Sequence, residues 1–137
     1  MFENLLNLFK GKDFLTTVYD DFKKMIDNAD EMFDLVCKRL LYNDPESPLR
    51  ERVYSLDREI NEAEKEIRRR ILEHLSFNPK EDISLCLVLM SIVKDAERIG
   101  DYSKNLYEVS RLIEKEIDIS DFPALFEIEE QLKDILL

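Results

Sequence analysis

The sequence predicts an all-α fold: an antiparallel three-helix bundle of long helices with a short C-terminal fourth helix. Three observations carry this expectation. Two glycines and four prolines in 137 residues leave few places for tight turns, well below the ~12% glycine plus proline of an average chain. Apolar residues make up 45% of the chain and charged residues 37%, the mixture that amphipathic helices use on their two faces. The apolar residues also recur at gaps of three and four, the spacing of one helical face and not of a strand. The length is that of one domain with a real core. We read residues 1–137 as a single helical-bundle domain whose residues 1–12 form a short leader.

The leader is apolar-rich through Phe2, Leu5, Leu6, Leu8 and Phe9 and closes at Gly11. It lacks the basic face of a helix that seeks a lipid surface. The first long helix is expected from Asp13 to about Tyr42, with Leu15, Val18, Phe22, Met25, Ala29, Met32, Val36 and Leu40 on its buried face. Asn43-Asp44-Pro45-Glu46-Ser47-Pro48 reads as a turn, Ser47 being an N-cap and Pro48 the first helical residue. The second helix, from Leu49 to about Leu75, carries Val53, Leu56, Ile60, Ala63, Ile67 and Ile71 on its core row. Asn78-Pro79-Lys80-Glu81 is an N-cap, a proline and an acid at capping-box spacing, so a third helix should begin there and run to about Glu116. Ser120 or Asp121 then caps a short fourth helix with Leu125, Ile128, Leu132 and Ile135 on one side. Short connections make consecutive helices antiparallel neighbours.

Twenty lysines and arginines against 31 acids give a net charge of −11 and a pI near 4.6. Such a surface repels polyanions, so no nucleic acid is expected as a partner. No apolar run reaches the ~18 residues of a membrane span, and no signal-peptide pattern opens the chain, so no direct membrane insertion is expected. The two cysteines lack metal or redox spacing and read as small apolar residues of a chain in a reducing cytoplasm. Glu66-Ile67-Arg68-Arg69-Arg70 reads as helical ion pairing with Glu64, Glu66 and Glu73. His74 belongs in the last turn of the second helix, where the helix dipole favours it.

Residues 83–93 carry no charge, and Leu85, Leu87, Val88, Leu89, Met90 and Ile92 point in every direction around a helix. A helix apolar all round is covered all round. The fourth helix could cover this stretch, or a second copy of the chain could; a homodimer is the reading we favour.

The acids show their own pattern. With the core stripe of the third helix on Ile92, Ala96, Ile99, Ser103 and Leu106, Glu97 and Asp101 fall together on its flank. Asp57, Asn61 and Glu64 each follow a core residue of the second helix at the same offset. Between antiparallel neighbours, equal offsets either converge on one groove or diverge to opposite sides. Converging rows would offer oxygen ligands to a hard or borderline cation such as Mg²⁺, Mn²⁺, Fe or Zn²⁺. The plainer reading is a solvated face on which Lys94 pairs with Glu97 and Lys104 with Asp101. Gly100, costing ~1 kcal/mol in a helix interior, points to close helix packing, the reading we favour, or to close approach of a ligand or partner backbone.

Asp82-Ile83, followed by Asp95-Ala96-Glu97-Arg98-Ile99-Gly100-Asp101-Tyr102-Ser103-Lys104-Asn105-Leu106, resembles the signature helix of the PhoU family of phosphate-uptake regulators. Asp57-Arg58-Glu59-Ile60-Asn61 is similar to that family's second acidic motif. The likeness is specific over about 79–107 and moderate over 49–75. It implies three-helix bundle repeats, usually two in tandem, whose acidic motifs bind metal ions. It makes Glu97 and Asp101 one metal-binding pair and Asp57 and Asn61 the facing one, for a divalent or iron-type metal ion. It further implies a cytoplasmic regulator or accessory protein of phosphate transport and signalling, with a phosphate transporter or sensor-kinase component as partner. The sequence departs from the pattern at Asn61, Ser84 and Tyr102, where acid, arginine and histidine are usual, and it carries one repeat, which a homodimer would double.

No enzymatic activity is expected. A single histidine excludes a di-iron site built from two Glu-x-x-His motifs, and no G-x-S-x-G, P-loop or C-x-x-C occurs. A helical mutase would need cations facing the core, and the core rows hold none.

Overall fold

The computed structural model describes residues 13–41, 49–77, 83–113 and 123–136. Four helices follow in order: α1 (Asp13–Leu41), α2 (Leu49–Phe77), α3 (Ile83–Leu112) and α4 (Pro123–Leu136). The first three pack each on the other two, and α4 rests on α1. Pairs across the α1–α2 seam run in opposite chain directions, with Asp21 on Arg70, Asn28 on Glu59 and Glu31 on Arg52. Across α2–α3 the same holds for Tyr54 with Glu108, Asp57 with Lys104 and Glu64 with Lys94. The bundle is therefore antiparallel, as expected. The leader, the turn at 43–48, the cap at 78–81 and the Ser120 or Asp121 cap lie outside the described residues.

The core is the apolar row of each long helix. Val53, Leu56, Ile60, Ile67 and Ile71 of α2 are buried as the spacing requires, with Ala63 packed against them. On α1 the expected row is buried from Leu15 to Val36, with Phe22 at its edge. Its last member is Leu41 instead of Leu40, and Cys37 joins it. A straight helix drifts ~20° per heptad, so the covered face moves on by one residue over the length of α1. Burial pushes the Cys37 thiol up to about 12, and nearby Glu129 of α4 adds to the rise.

On α3 the centre of the buried face is one residue further along than expected: Val93, Ala96, Gly100, Ser103 and Tyr107. Ile99 and Leu106 instead line a pocket of about 230 Å³ with Phe33 of α1 and Leu132 and Ile135 of α4. Ile99 and Leu106 thus serve the α4 side, and Gly100 serves the seam with α2. A methyl group on Gly100 would meet Ile60 Cδ1 at 2.9 Å and Cγ2 at 3.3 Å, so the glycine serves close helix packing. The α3 helix ends at Leu112, short of the expected Glu116. Ser110 there turns its hydroxyl onto the Tyr107 carbonyl at 2.6 Å.

The uncharged stretch 83–93 is covered on one face only. Leu85, Cys86, Leu89 and Val93 are buried, whereas Ile83, Leu87 and Val88 are exposed. The α4 helix lies toward the other end of α3, against Ile99 and Leu106. Its own apolar side is half open, with Leu125, Ile128, Leu132 and Ile135 all exposed. Its one buried side chain among those described is Glu129, paired to Lys133 at 2.8 Å, which also reaches Asp34 of α1 at 2.8 Å.

Candidate functional site

The two acid rows converge. Their positions follow from the antiparallel seam between α2 and α3, which the Gly100–Ile60 contact draws tight. Asp57 and Glu64 come from α2 and Glu97 from α3, and all three are buried although charged. Buried carboxylates need partners, and each has one. Lys104 Nζ donates to both oxygens of Asp57 at 2.9 Å. Lys94 Nζ lies 2.6 Å from Glu97 Oε2 and 3.9 Å from Glu64 Oε1, so it spans the seam. Arg68 donates to the same Glu64 oxygen at 3.0 Å.

Asn61 is turned along its own helix. Its amide nitrogen donates to the Asp57 carbonyl oxygen at 2.8 Å. Asp101 acts through its field, which together with closer groups holds both lysines in the charged form. Hydrogen bonding to Glu97 is the largest influence raising Lys94, and hydrogen bonding to Asp57 the largest raising Lys104. The four residues expected as ligands, Asp57, Asn61, Glu97 and Asp101, thus lie along the α2–α3 seam, with Asp57 and Asn61 in contact and Asp101 felt by both lysines.

Sequence reasoning placed Lys94 on Glu97 and is met there, but it placed Lys104 on Asp101, and the ammonium group goes to Asp57 instead. The missed signal was in the rotation: Lys104 follows the core residue Ser103 at the offset by which Glu97 follows Ala96. It therefore lies on the same seam-facing flank. Tyr54 and Glu108 were also missed; the phenol donates to the carboxylate across the outer end of the same seam. This bond raises Tyr54 and lowers Glu108 from their ordinary values.

The oxygens of the groove suit a hard cation in kind. Among the described residues, however, no group of three or more His, Cys, Asp or Glu side chains is arranged to hold a metal ion. The carboxylates are turned to ammonium and guanidinium groups, and an entering metal would have to displace them. The Glu66-to-Arg70 run behaves as expected, with Arg69 on Glu66 and Glu73 and Arg70 on Glu66. His74 sits in the last turn of α2 and stacks on Phe14, ring centroids 4.0 Å apart. Among the described residues no helix is long and apolar enough to cross a membrane.

Comparison with known proteins adds a family. A family model described as the PhoU domain matches residues 22–110, a stretch that holds both acid rows and their lysines and leaves out α4. A curated protein of Synechocystis sp., named "Phosphate-specific transport system accessory protein PhoU homolog", is 30% identical over 98 residues, which cover 70% of this chain and 43% of that protein. The match thus spans less than half of that relative. No solved structure matches the chain with significance.

Proposed function

The chain belongs to the PhoU domain family, and from that premise we propose that it is a cytoplasmic regulator or accessory protein of phosphate transport and signalling that acts through protein contacts. The observation that carries this reading is the family match over 22–110, which coincides with the three packed helices and the charged α2–α3 seam. The relative's name ties it to a phosphate-specific transport system, so a phosphate transporter or sensor-kinase component is the partner in this reading. The family consists of regulatory and accessory proteins, and no catalytic role is proposed.

A second copy of the chain belongs to the same proposal. Exposed Ile83, Leu87 and Val88 form an apolar strip that α4 does not reach, and the match to the relative spans 43% of its length. Two copies would supply what the longer protein carries in one chain. Light scattering at micromolar concentration should give twice the chain mass; a monomer would remove the dimer and leave the regulatory reading standing.

A divalent or iron-type metal at Asp57, Asn61, Glu97 and Asp101 enters this reading only in exchange for Lys94 and Lys104. The alternative, a metal-free helical interaction module, draws its support from the lysine pairing itself.

The regulatory reading is tested in cells lacking the chain. Phosphate uptake and phosphate-starvation gene expression should both depart from the parent in phosphate-rich medium and return when the chain is restored. Unchanged uptake and expression would sink it.

A further inference from the structure

The α2–α3 groove has the charge pattern of a cation site and supplies the cations itself. Four carboxylates, those of Asp57, Glu64, Glu97 and Asp101, lie along it with three cationic side chains, Lys94, Lys104 and Arg68. One negative charge is left over, too little to draw in a dication. The geometry is as demanding as the count. Both oxygens of Asp57 are taken by the single ammonium group of Lys104, and Glu97 Oε2 by that of Lys94. Asn61 presents its NH₂ to Asp57 on its own helix, so its donor side is the one turned to that carboxylate.

A metal ion gathers several oxygens onto one centre. Two ammonium groups with three donors each instead neutralise the same carboxylates one at a time, spread along the seam. The lysine side chains keep 40% and 28% of their surface in contact with solvent while the Glu97 and Asp57 side chains keep 8% and 12%. Each lysine therefore reaches in from the rim, as long cationic side chains do. Both are this chain's own residues on α3, one turn before Glu97 and one turn after Asp101.

We propose that Lys94 and Lys104 are the resident counterions of this groove, standing where the family's acidic motifs would place a metal ion, so that α2 and α3 hold their register without metal. Removing the two ammonium groups leaves the buried Asp57 and Glu97 carboxylates without their counterions, while Arg68 still holds Glu64, and turns the groove into a cation site.

The test uses the chain stripped with EDTA, with Mn²⁺ and Zn²⁺ as probes. Wild type is expected to melt at the same temperature in EDTA and in either metal, and to lose both metals on desalting. Lys94→Met/Lys104→Met should bind Mn²⁺ at least about tenfold more tightly than wild type, at the lower end of the ~10–100-fold by which one neighbouring group changes metal affinity. Its melting temperature should rise on adding the metal. Lys94→Arg/Lys104→Arg, which keeps the charge, should stay unresponsive. A wild-type chain that retains metal near one per chain, or whose melting temperature falls in EDTA, would overturn the proposal. So would a folded methionine variant with no gain in Mn²⁺ binding. Should that variant fail to fold, the wild-type melts decide alone. None of these outcomes bears on the regulatory reading, whose test is phosphate uptake in cells.

Discussion

Two seams of this molecule use the same device, a lysine set between carboxylates of two helices, and put it to different ends. Between α2 and α3, Lys94 and Lys104 flank a close contact in which Ile60 fills the space over Gly100. Between α1 and α4, Lys133 joins Asp34 to Glu129, while the apolar side chains of α4 stay half open. The first seam has a core and uses charge to trim its edge. The second has little core and depends on charge for its place. Ion pairs alone contribute ~0–1 kcal/mol where solvent reaches them, whereas each fully buried aliphatic side chain contributes ~1.5–3 kcal/mol. The α2–α3 seam should therefore unfold only with the whole bundle, and α4 should lift off by itself.

The largest effect is expected in the core of the three long helices, which the first seam borders. Ile67→Ala, at a fully buried position, should cost ~2–5 kcal/mol of stability, read from urea unfolding. Next comes Gly100→Val, which forces branched atoms into the space held by Ile60 and should cost ~1–3 kcal/mol as overpacking. A smaller residue at position 60 should restore part of that loss, and a Gly100→Val chain as stable as wild type would contradict the close contact.

At the second seam, Lys133→Met should leave the main thermal transition nearly unchanged while amide exchange over 123–136 accelerates to the rate of exposed helix. Molar salt should do the same to wild type by screening the pair. If exchange in α4 follows global unfolding in both cases, the contrast between the seams is wrong.

The smallest effect is in pH. Lys94 and Lys104 hold their protons more firmly in the folded chain than at the ordinary lysine value of 10.5. Their contribution is therefore complete below that value and is lost as pH climbs through the raised ones. Wild type should lose melting temperature above pH 10.5 more steeply than Lys94→Met/Lys104→Met. Equal slopes would show that neither ion pair contributes.

The three long helices and the α2 core row were legible because apolar spacing records burial directly. Gly100 was legible as a contact because a helix tolerates glycine poorly without one. The centre of the α3 face was not. Ile92, Ile99 and Leu106 are large apolar residues and drew the predicted stripe to themselves, yet the buried face is centred on the smaller Ala96, Gly100 and Ser103, with Gly100 against Ile60 of α2. Size follows the gap to be filled, and the sequence does not state how near the neighbour comes. Lys104 was misassigned for a related reason: spacing along one helix offers Asp101, and only the approach of α2 offers Asp57. The inward turn of Glu129 ran against the apolar pattern of α4, and Lys133, which holds it, is shared with Asp34, 99 residues earlier in the chain.

The two cysteines turn this architecture into a pair of chemical clocks. Cys86 is sealed in the core of the bundle, and Cys37 lies in α1 near Glu129 of α4. A thiol pushed up to about 12 is almost wholly protonated near neutrality and slow to alkylate. Each departure of α4 would open Cys37 to water and restore its reactivity, whereas Cys86 must wait for the bundle to open. Mass spectrometry of unlabelled protein with a maleimide can thus time both events in one tube, each adduct date-stamping the rupture of a different seam.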